Sequence, residues 1–166
     1  MDGRGRGGGG GRAVKRAWGI LMFFARFAMA AIFLLAAKEK IADPAAFALA
    51  VYRYRIVPSW GVNVFALLLP WVEVFAAAAL LAPRRAGLWR AAGGGLIAGM
   101  LAMFTVAYGI ALLRGISISC GCFSLSPDEV AGGWRTLAQN ALLFAGGVVI
   151  FADTFFRTAT DEPEST

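Results

Sequence analysis

Cys120 and Cys122 are the two cysteines of the chain, and they stand one residue apart in Ser119-Cys120-Gly121-Cys122-Phe123-Ser124. Consecutive Cα atoms are about 3.8 Å apart, so an i,i+2 pair reaches the roughly 4.4–6.8 Å of a disulfide when the chain turns between them. Gly121 makes that turn at no steric cost. A static structural disulfide is the plain alternative. It is disfavoured because a disulfide stabilises mainly by closing a long loop in the unfolded chain, and this loop is nearly as short as possible. A small strained ring is instead easily reduced and re-formed. Thiol–disulfide exchange by Cys120 and Cys122, with Gly121 and Phe123 as parts of the motif, is the leading chemistry. Soft-metal capture ranks second, because Cu(I) tolerates low coordination by thiolates. Two idle thiols rank below both.

Few other groups can do chemistry. There is no histidine, which removes the usual general base and the commonest metal ligand. Two thiolates do not complete a structural zinc site, so no resident metal is expected. Arg114 precedes the cysteine pair and Asp128-Glu129 follow it. A cation beside Cys120 favours its thiolate, while a solvated interface anchor is the bland reading of Arg114. Two charges interrupt otherwise apolar stretches, Arg26 and Glu73. Each lies about 12 Å from the same edge of its stretch at helical rise. Ionisable groups in lipid are costly and tend to pair. An Arg26–Glu73 ion pair is therefore expected, serving first to fix helix register and second as a candidate for proton or quinone handling. Tyr108 and Asn140 are candidates to line a cavity beneath the cysteine pair together with Arg114, although an interhelical hydrogen bond is the default role of Asn140.

The elements that must position these groups follow from composition. Of 166 residues, 59% are hydrophobic and 16% charged. Mean hydropathy is +0.68, too high for a soluble domain of this length. Four apolar segments run from about Trp18 to Ala37, Val62 to Leu81, Gly93 to Leu113 and Thr136 to Phe156. About 20 residues of helix span about 30 Å of hydrocarbon. Helices are required because lipid cannot satisfy free backbone groups, and no barrel-like alternation is present. The fold class is thus an all-α membrane protein, a bundle of four transmembrane helices.

Basic residues orient it. Nine flank one face, including Arg4, Arg6, Arg12, Lys15 and Arg16, against six on the other: Lys38, Lys40, Arg53, Arg55, Arg114 and Arg135. Positive charge stays in the cytoplasm, so both termini are expected there and the cysteine pair on the extracytoplasmic face, an oxidising compartment. Asp43-Pro44 is a helix start, with Asp as N-cap and Pro at the first position. Phe47, Val51 and Tyr54 follow at helical spacing, which predicts a short interfacial helix in the first outer loop. The domain plan is a disordered Gly/Arg-rich basic tail over 1–16, the membrane domain over 17–157 and a disordered acidic tail over 158–166. The RGRGGGGGR run is read as a cytoplasmic anchor, with no nucleic acid as partner. Gly95 and Gly99 form a small-xxx-small pair, and Gly146-Gly147 lies in the fourth span; both predict close helix packing. Trp18, Trp60 and Trp134 sit at span ends, as interfacial aromatics do.

The order of landmarks resembles the MauE branch of the DoxX-like membrane proteins. Arg26 in the first span precedes Lys40-Ile41-Ala42-Asp43-Pro44 with Phe47, then Tyr54-Arg55-Ile56-Val57-Pro58, then Leu69-Pro70-Trp71-Val72-Glu73, then Arg114-Gly115 leading into Cys120-Gly121-Cys122-Phe123. The likeness covers about Ala25 to Phe156. Ser124 departs from it, since the family commonly carries Gly there. The resemblance implies a four-helix protein of the bacterial inner membrane engaged in redox work. It further implies an extracytoplasmic thioredoxin-like partner, with maturation of a disulfide-rich enzyme as the family's setting; methylamine metabolism does not follow from it. The resulting expectation is a redox-associated protein, a candidate thiol–disulfide oxidoreductase component, exchanging disulfide or reducing equivalents through Cys120 and Cys122. A membrane quinone is the candidate cofactor for resetting the pair. The rivals are a copper-binding membrane protein and a non-catalytic scaffold for assembly of a partner enzyme.

Overall fold

The computed structural model describes residues 8–83, 86–114 and 133–160, so Cys120, Gly121, Cys122 and Phe123 lie outside the described residues. Among the described residues the chain is helical: α1 (Gly8–Ala42), α2 (Pro44–Arg53), α3 (Ser59–Leu80), α4 (Gly87–Leu113) and α5 (Gly133–Thr160). Four of these helices are long and apolar enough to cross a membrane: α1 over Ala13–Ala42, α3, α4, and α5 over Trp134–Arg157. Their outer surfaces carry exposed Phe24, Leu35, Leu68, Phe75 and Leu142, which only lipid can cover favourably. The protein is a multi-pass helical membrane protein.

The expected spans are present, but the helices run longer than hydropathy alone suggested. α1 starts at Gly8, inside the segment expected to be a disordered tail, and continues to Ala42 rather than Ala37. Lys38 and Lys40, placed in a loop by the sequence reading, are therefore helical. α5 likewise continues to Thr160, past the expected boundary at Arg157.

Asp43 ends α1 and starts α2. Its side chain accepts the Ala46 N–H at 2.9 Å, and Pro44 occupies the first helical position. Phe47 and Val51 of α2 are buried in the bundle core with Val62, Ala66 and Leu69 of α3. α2 closes on Tyr54, and Arg55 then takes φ 52, a left-handed conformation unusual for a residue with a Cβ. Arg55→Gly should relieve that strain and raise thermal stability by up to about 1 kcal/mol in a detergent melt. A lower melting temperature would mean that the Arg55 side chain contributes more than its backbone costs.

Close packing sets the order of helices. A Cβ added to Gly93 of α4 would lie 2.6 Å from the Leu80 nitrogen, 2.8 Å from the Ala76 oxygen and 2.9 Å from the Ala79 carbonyl carbon of α3. Gly94 faces the Phe151 backbone of α5, and Gly147 faces Cα of Ala98. The expected pair, Gly95 and Gly99, is not what brings backbones together: Gly95 meets only the Phe151 ring, and Gly99 has nothing within 4 Å. A helix of small residues offers several such stripes, and rotation about its axis selects one.

Because Gly93 meets Leu80, the start of α4 lies beside the end of α3. The far end of α4, at Arg114, and the start of α5 therefore stand at the end of the bundle that carries α2. The segment containing the cysteine pair joins those two helix ends. Trp60 and Trp134 are exposed at that end; Trp18 and Trp89 are exposed at the other.

Candidate functional site

Two buried charge clusters lie in the bundle. On α1 the buried stripe reads Met22, Arg26, Met29, Ala30, Phe33, Ala36, Ala37, Lys40. The steps of three and four residues carry both cations inward with the core. On α3 the stripe is Val62, Ala66, Leu69, Pro70, Glu73, Ala76, Ala77, Leu80. Glu73 is thus turned inward by its own register.

The expected Arg26–Glu73 pair does not form; each finds another partner. Lys40 Nζ donates to Glu73 Oε1 at 2.6 Å, and each residue is only 1% exposed. Arg26 Nη2 donates to Asp153 Oδ2 at 2.7 Å and to Thr154 Oγ1 at 2.9 Å, both on α5. The reason is axial position. Lys40 and Arg26 are fourteen residues apart on one helix, about 21 Å at helical rise. Depths counted from Trp18 and Leu81 set Arg26 level with Glu73, whereas the packing of α1 on α3 sets Lys40 there.

The Lys40–Glu73 pair is enclosed. Just beyond Lys40, the turn at Asp43 brings Phe47 back toward the ammonium, whose Nζ lies 5.3 Å from the Phe47 ring centroid and 5.7 Å from that of Phe104 on α4. Aromatic faces attract a cation electrostatically and partly replace its lost hydration. Glu73 Oε2 has no hydrogen-bond partner among the described residues. A buried carboxylate oxygen left without a donor costs about 1–3 kcal/mol or more.

The second cluster centres on Asp153. Its Oδ1 accepts Trp18 Nε1–H at 3.0 Å and Arg157 Nε–H at 2.8 Å, while Oδ2 takes Arg26. Thr154 passes its own hydroxyl proton to the Ile150 carbonyl at 2.7 Å. The cluster ties α1 to α5 at the end opposite α2.

An apolar cleft adjoins the Lys40–Glu73 pair. It holds about 90 Å³ and is lined by Phe47, Val51 and Tyr54 of α2, Phe65 of α3, and Met103 and Phe104 of α4, among others. Phe47 and Phe104 thus form a wall shared by the cleft and the ion pair. The other expected site residues lie elsewhere. Tyr108 and Asn140 are buried and Arg114 is exposed at the end of α4. The approach of Gly109 to Leu137 puts Tyr108 and Asn140 within about 3 Å, roughly half a turn, of each other in level. None of the three lines this cleft, and the cavity expected of them beneath the cysteine pair adjoins a segment outside the described residues.

Sequence reasoning missed Lys40 and Asp153. A signal existed for Lys40: it lies seven residues after Phe33 and four after Ala36, on the apolar stripe. Asp153 gave a weaker one, an acidic residue between Ile150 and Phe156 in the last span.

The family profile described as Methylamine utilisation protein MauE matches residues 18–153. The chain belongs to the MauE family. That match bears out the resemblance read from the landmarks, and it takes in Arg26, Lys40, Glu73, Asp153 and the Cys-Gly-Cys segment of this MauE-family chain. Over 92 residues the chain is 33% identical to the methylamine utilization protein MauE of Methylorubrum extorquens. The aligned part is 55% of this chain and 47% of that protein, so the chain spans about half the length of the curated relative it matches. No solved structure matches the chain.

Proposed function

We propose that this MauE-family membrane protein exchanges disulfide or reducing equivalents with an extracytoplasmic thioredoxin-like protein through Cys120 and Cys122. The observation that carries the reading is the spacing of two thiols around Gly121 in the segment joining α4 to α5. Both chain termini are taken as cytoplasmic and the cysteine pair as extracytoplasmic, in a bacterial inner membrane. The family's description speaks of methylamine utilisation, and maturation of a secreted enzyme of such a process is a fitting setting.

The exchange proceeds through a mixed disulfide. A partner thiolate attacks one sulfur of the oxidised pair; the Cys120–Cys122 bond breaks and the other cysteine leaves as a thiolate. The partner's second thiolate then attacks the mixed disulfide. The partner ends as a disulfide, the pair as two thiols, and two electrons have moved. Run in reverse, the same steps reduce the partner. In the oxidising direction an electron acceptor, a membrane quinone or a second thiol protein, returns the pair to the disulfide.

The pair should titrate reversibly in membranes under differential alkylation, with a midpoint between roughly −120 and −270 mV, the range of exchange proteins. Cys120→Ser or Cys122→Ser should abolish partner oxidation while leaving membrane insertion intact. Normal partner oxidation by the double-Ser variant would end the exchange reading and leave the scaffold. A pair that stays reduced and is protected by Cu(I) would turn the assignment to metal binding.

A further inference from the structure

We propose that the groove between α1 and α5, at the end opposite α2, binds an anionic phospholipid. Its phosphate sits between Lys15 and Arg157, and one acyl chain lies along Val149, Ala152 and Phe156. The site is independent of the cysteine pair.

The groove itself is the first observation. It holds about 460 Å³ and is lined by Trp18 of α1 and by Val149, Ala152, Asp153, Phe156 and Arg157 of α5. Its apolar floor runs from Val149 to Phe156, about 10 Å at helical rise. Val149 and Phe156 are exposed, so the groove opens sideways to the bilayer. An acyl chain covers such a floor favourably.

The second observation is the placement of charge. Trp18, Met22 and Arg26 follow one another at helical spacing on the face of α1 that meets Asp153, and exposed Lys15 carries that face one turn further out. Lys15 stands about 4.5 Å beyond Trp18, and Arg157 about 6 Å beyond Asp153, in the same direction. Both cations are thus at the mouth of the groove. Exposed tryptophans sit at the head-group level of a bilayer, and Trp18 is 42% exposed. A phosphate one turn outside Trp18 is at its natural depth.

The sign of the charge selects the occupant. Asp153 is faced by two guanidinium groups, Arg26 and Arg157, so its single negative charge is outweighed. The Arg157 side chain is 57% exposed, and exposed Lys15 and Arg16 add to the excess. Two cations over an apolar groove match a head group with net negative charge. A zwitterionic head group brings its own ammonium into the same field and gains less. In sequence, Asp161, Glu162 and Glu164 follow Arg157, which makes the acidic tail the rival occupant.

The test is fluorescence quenching of Trp18 by brominated lipid. Trp60, Trp71, Trp89 and Trp134 are each more than half exposed, so replacing all four by Phe in the full-length protein leaves Trp18 as the reporter. In phosphatidylcholine nanodiscs, dibromostearoyl phosphatidylglycerol is compared with the matching brominated phosphatidylcholine at equal mole fraction. The glycerol lipid should quench with an apparent affinity roughly fivefold higher or more. Lys15→Gln, at an exposed position outside the Asp153 contacts, should reduce that ratio about twofold or more. Lys15→Gln/Arg157→Gln should erase it, with the fold checked by circular dichroism. Arg84→Gln/Arg85→Gln removes the same charge from the same end and should leave the ratio unchanged.

Equal quenching by the two lipids would overturn the site. An equal fall in the Arg84→Gln/Arg85→Gln protein would also overturn it, reducing the preference to the general field of a basic surface. Selectivity that emerges only when residues 161–166 are removed would make the acidic tail the native occupant and overturn the lipid.

Discussion

Lys40→Met is expected to destabilise the protein by about 3–5 kcal/mol, the cost of leaving one member of a buried ion pair without its partner. Met fills nearly the same space, so little of the loss comes from a cavity. What remains is the buried Glu73 carboxyl group with no cation to replace its hydration. Desolvating two charges is expensive, so the intact pair contributes little net stability of its own. The asymmetry gives a sharp test. Neutralising both residues, as in Lys40→Met/Glu73→Met, should recover most of the loss, because an apolar pair incurs no desolvation cost. Thermal or denaturant unfolding in detergent reads the cycle. Losses that simply add would show that the two side chains act independently, contrary to the 2.6 Å contact.

Gly93→Val should be the other severe substitution, costing more than the about 1–3 kcal/mol of ordinary overpacking. A side chain that collides with a side chain can be accommodated by a rotamer change. At Gly93 the colliding atoms are the Leu80 nitrogen, the Ala76 oxygen and the Ala79 carbonyl carbon, all backbone, all nearer than 3.0 Å. The α3–α4 contact must therefore open, and with it the packing that holds Phe104 over Lys40. Gly93→Ala should already fall well below the native protein in a detergent melt. Gly99→Ala is the matched control: it meets open space and gains helix propensity of about 1 kcal/mol, so it should be neutral or stabilising. Equal losses at both positions would contradict the assigned helix faces.

The two tests probe different levels of the design. The ion pair couples the end of α1 to the middle of α3, and Gly93 couples α3 to α4. Both converge on the wall of Phe47 and Phe104. A change at either place is expected to alter the cleft, whereas a change at Asp153 loosens α1 from α5 at the opposite end. Asp153→Asn keeps the shape and the hydrogen-bond acceptor for Trp18 but removes the charge facing Arg26 and Arg157. It should lower stability by about 1–3 kcal/mol in a detergent melt; an unchanged melting temperature would show that the Asp153 charge contributes nothing to holding α1 on α5.

The four spans, the helical fold class, the Asp43-Pro44 start of α2 and the family were legible in the amino-acid sequence. These are local properties. Hydropathy over about 20 residues decides whether a helix can sit in lipid. A cap depends on residues three apart, and the order of landmarks survives without knowing any contact. The burial of Arg26 and Glu73 was legible too, since an ionisable group within an apolar stretch must turn inward. Which charge meets which was not. Arg26 and Lys40 share one face of α1, and only the axial offset between helices assigns Lys40 to Glu73 and Arg26 to Asp153. The same offset and rotation chose Gly93 over Gly95 and Gly99 as the point of closest approach. The cleft exists because α2 folds back so that Phe47 meets Phe104, residues fifty-seven positions apart. Such contacts depend on the relative placement of rigid elements, which tertiary packing sets and no local window contains.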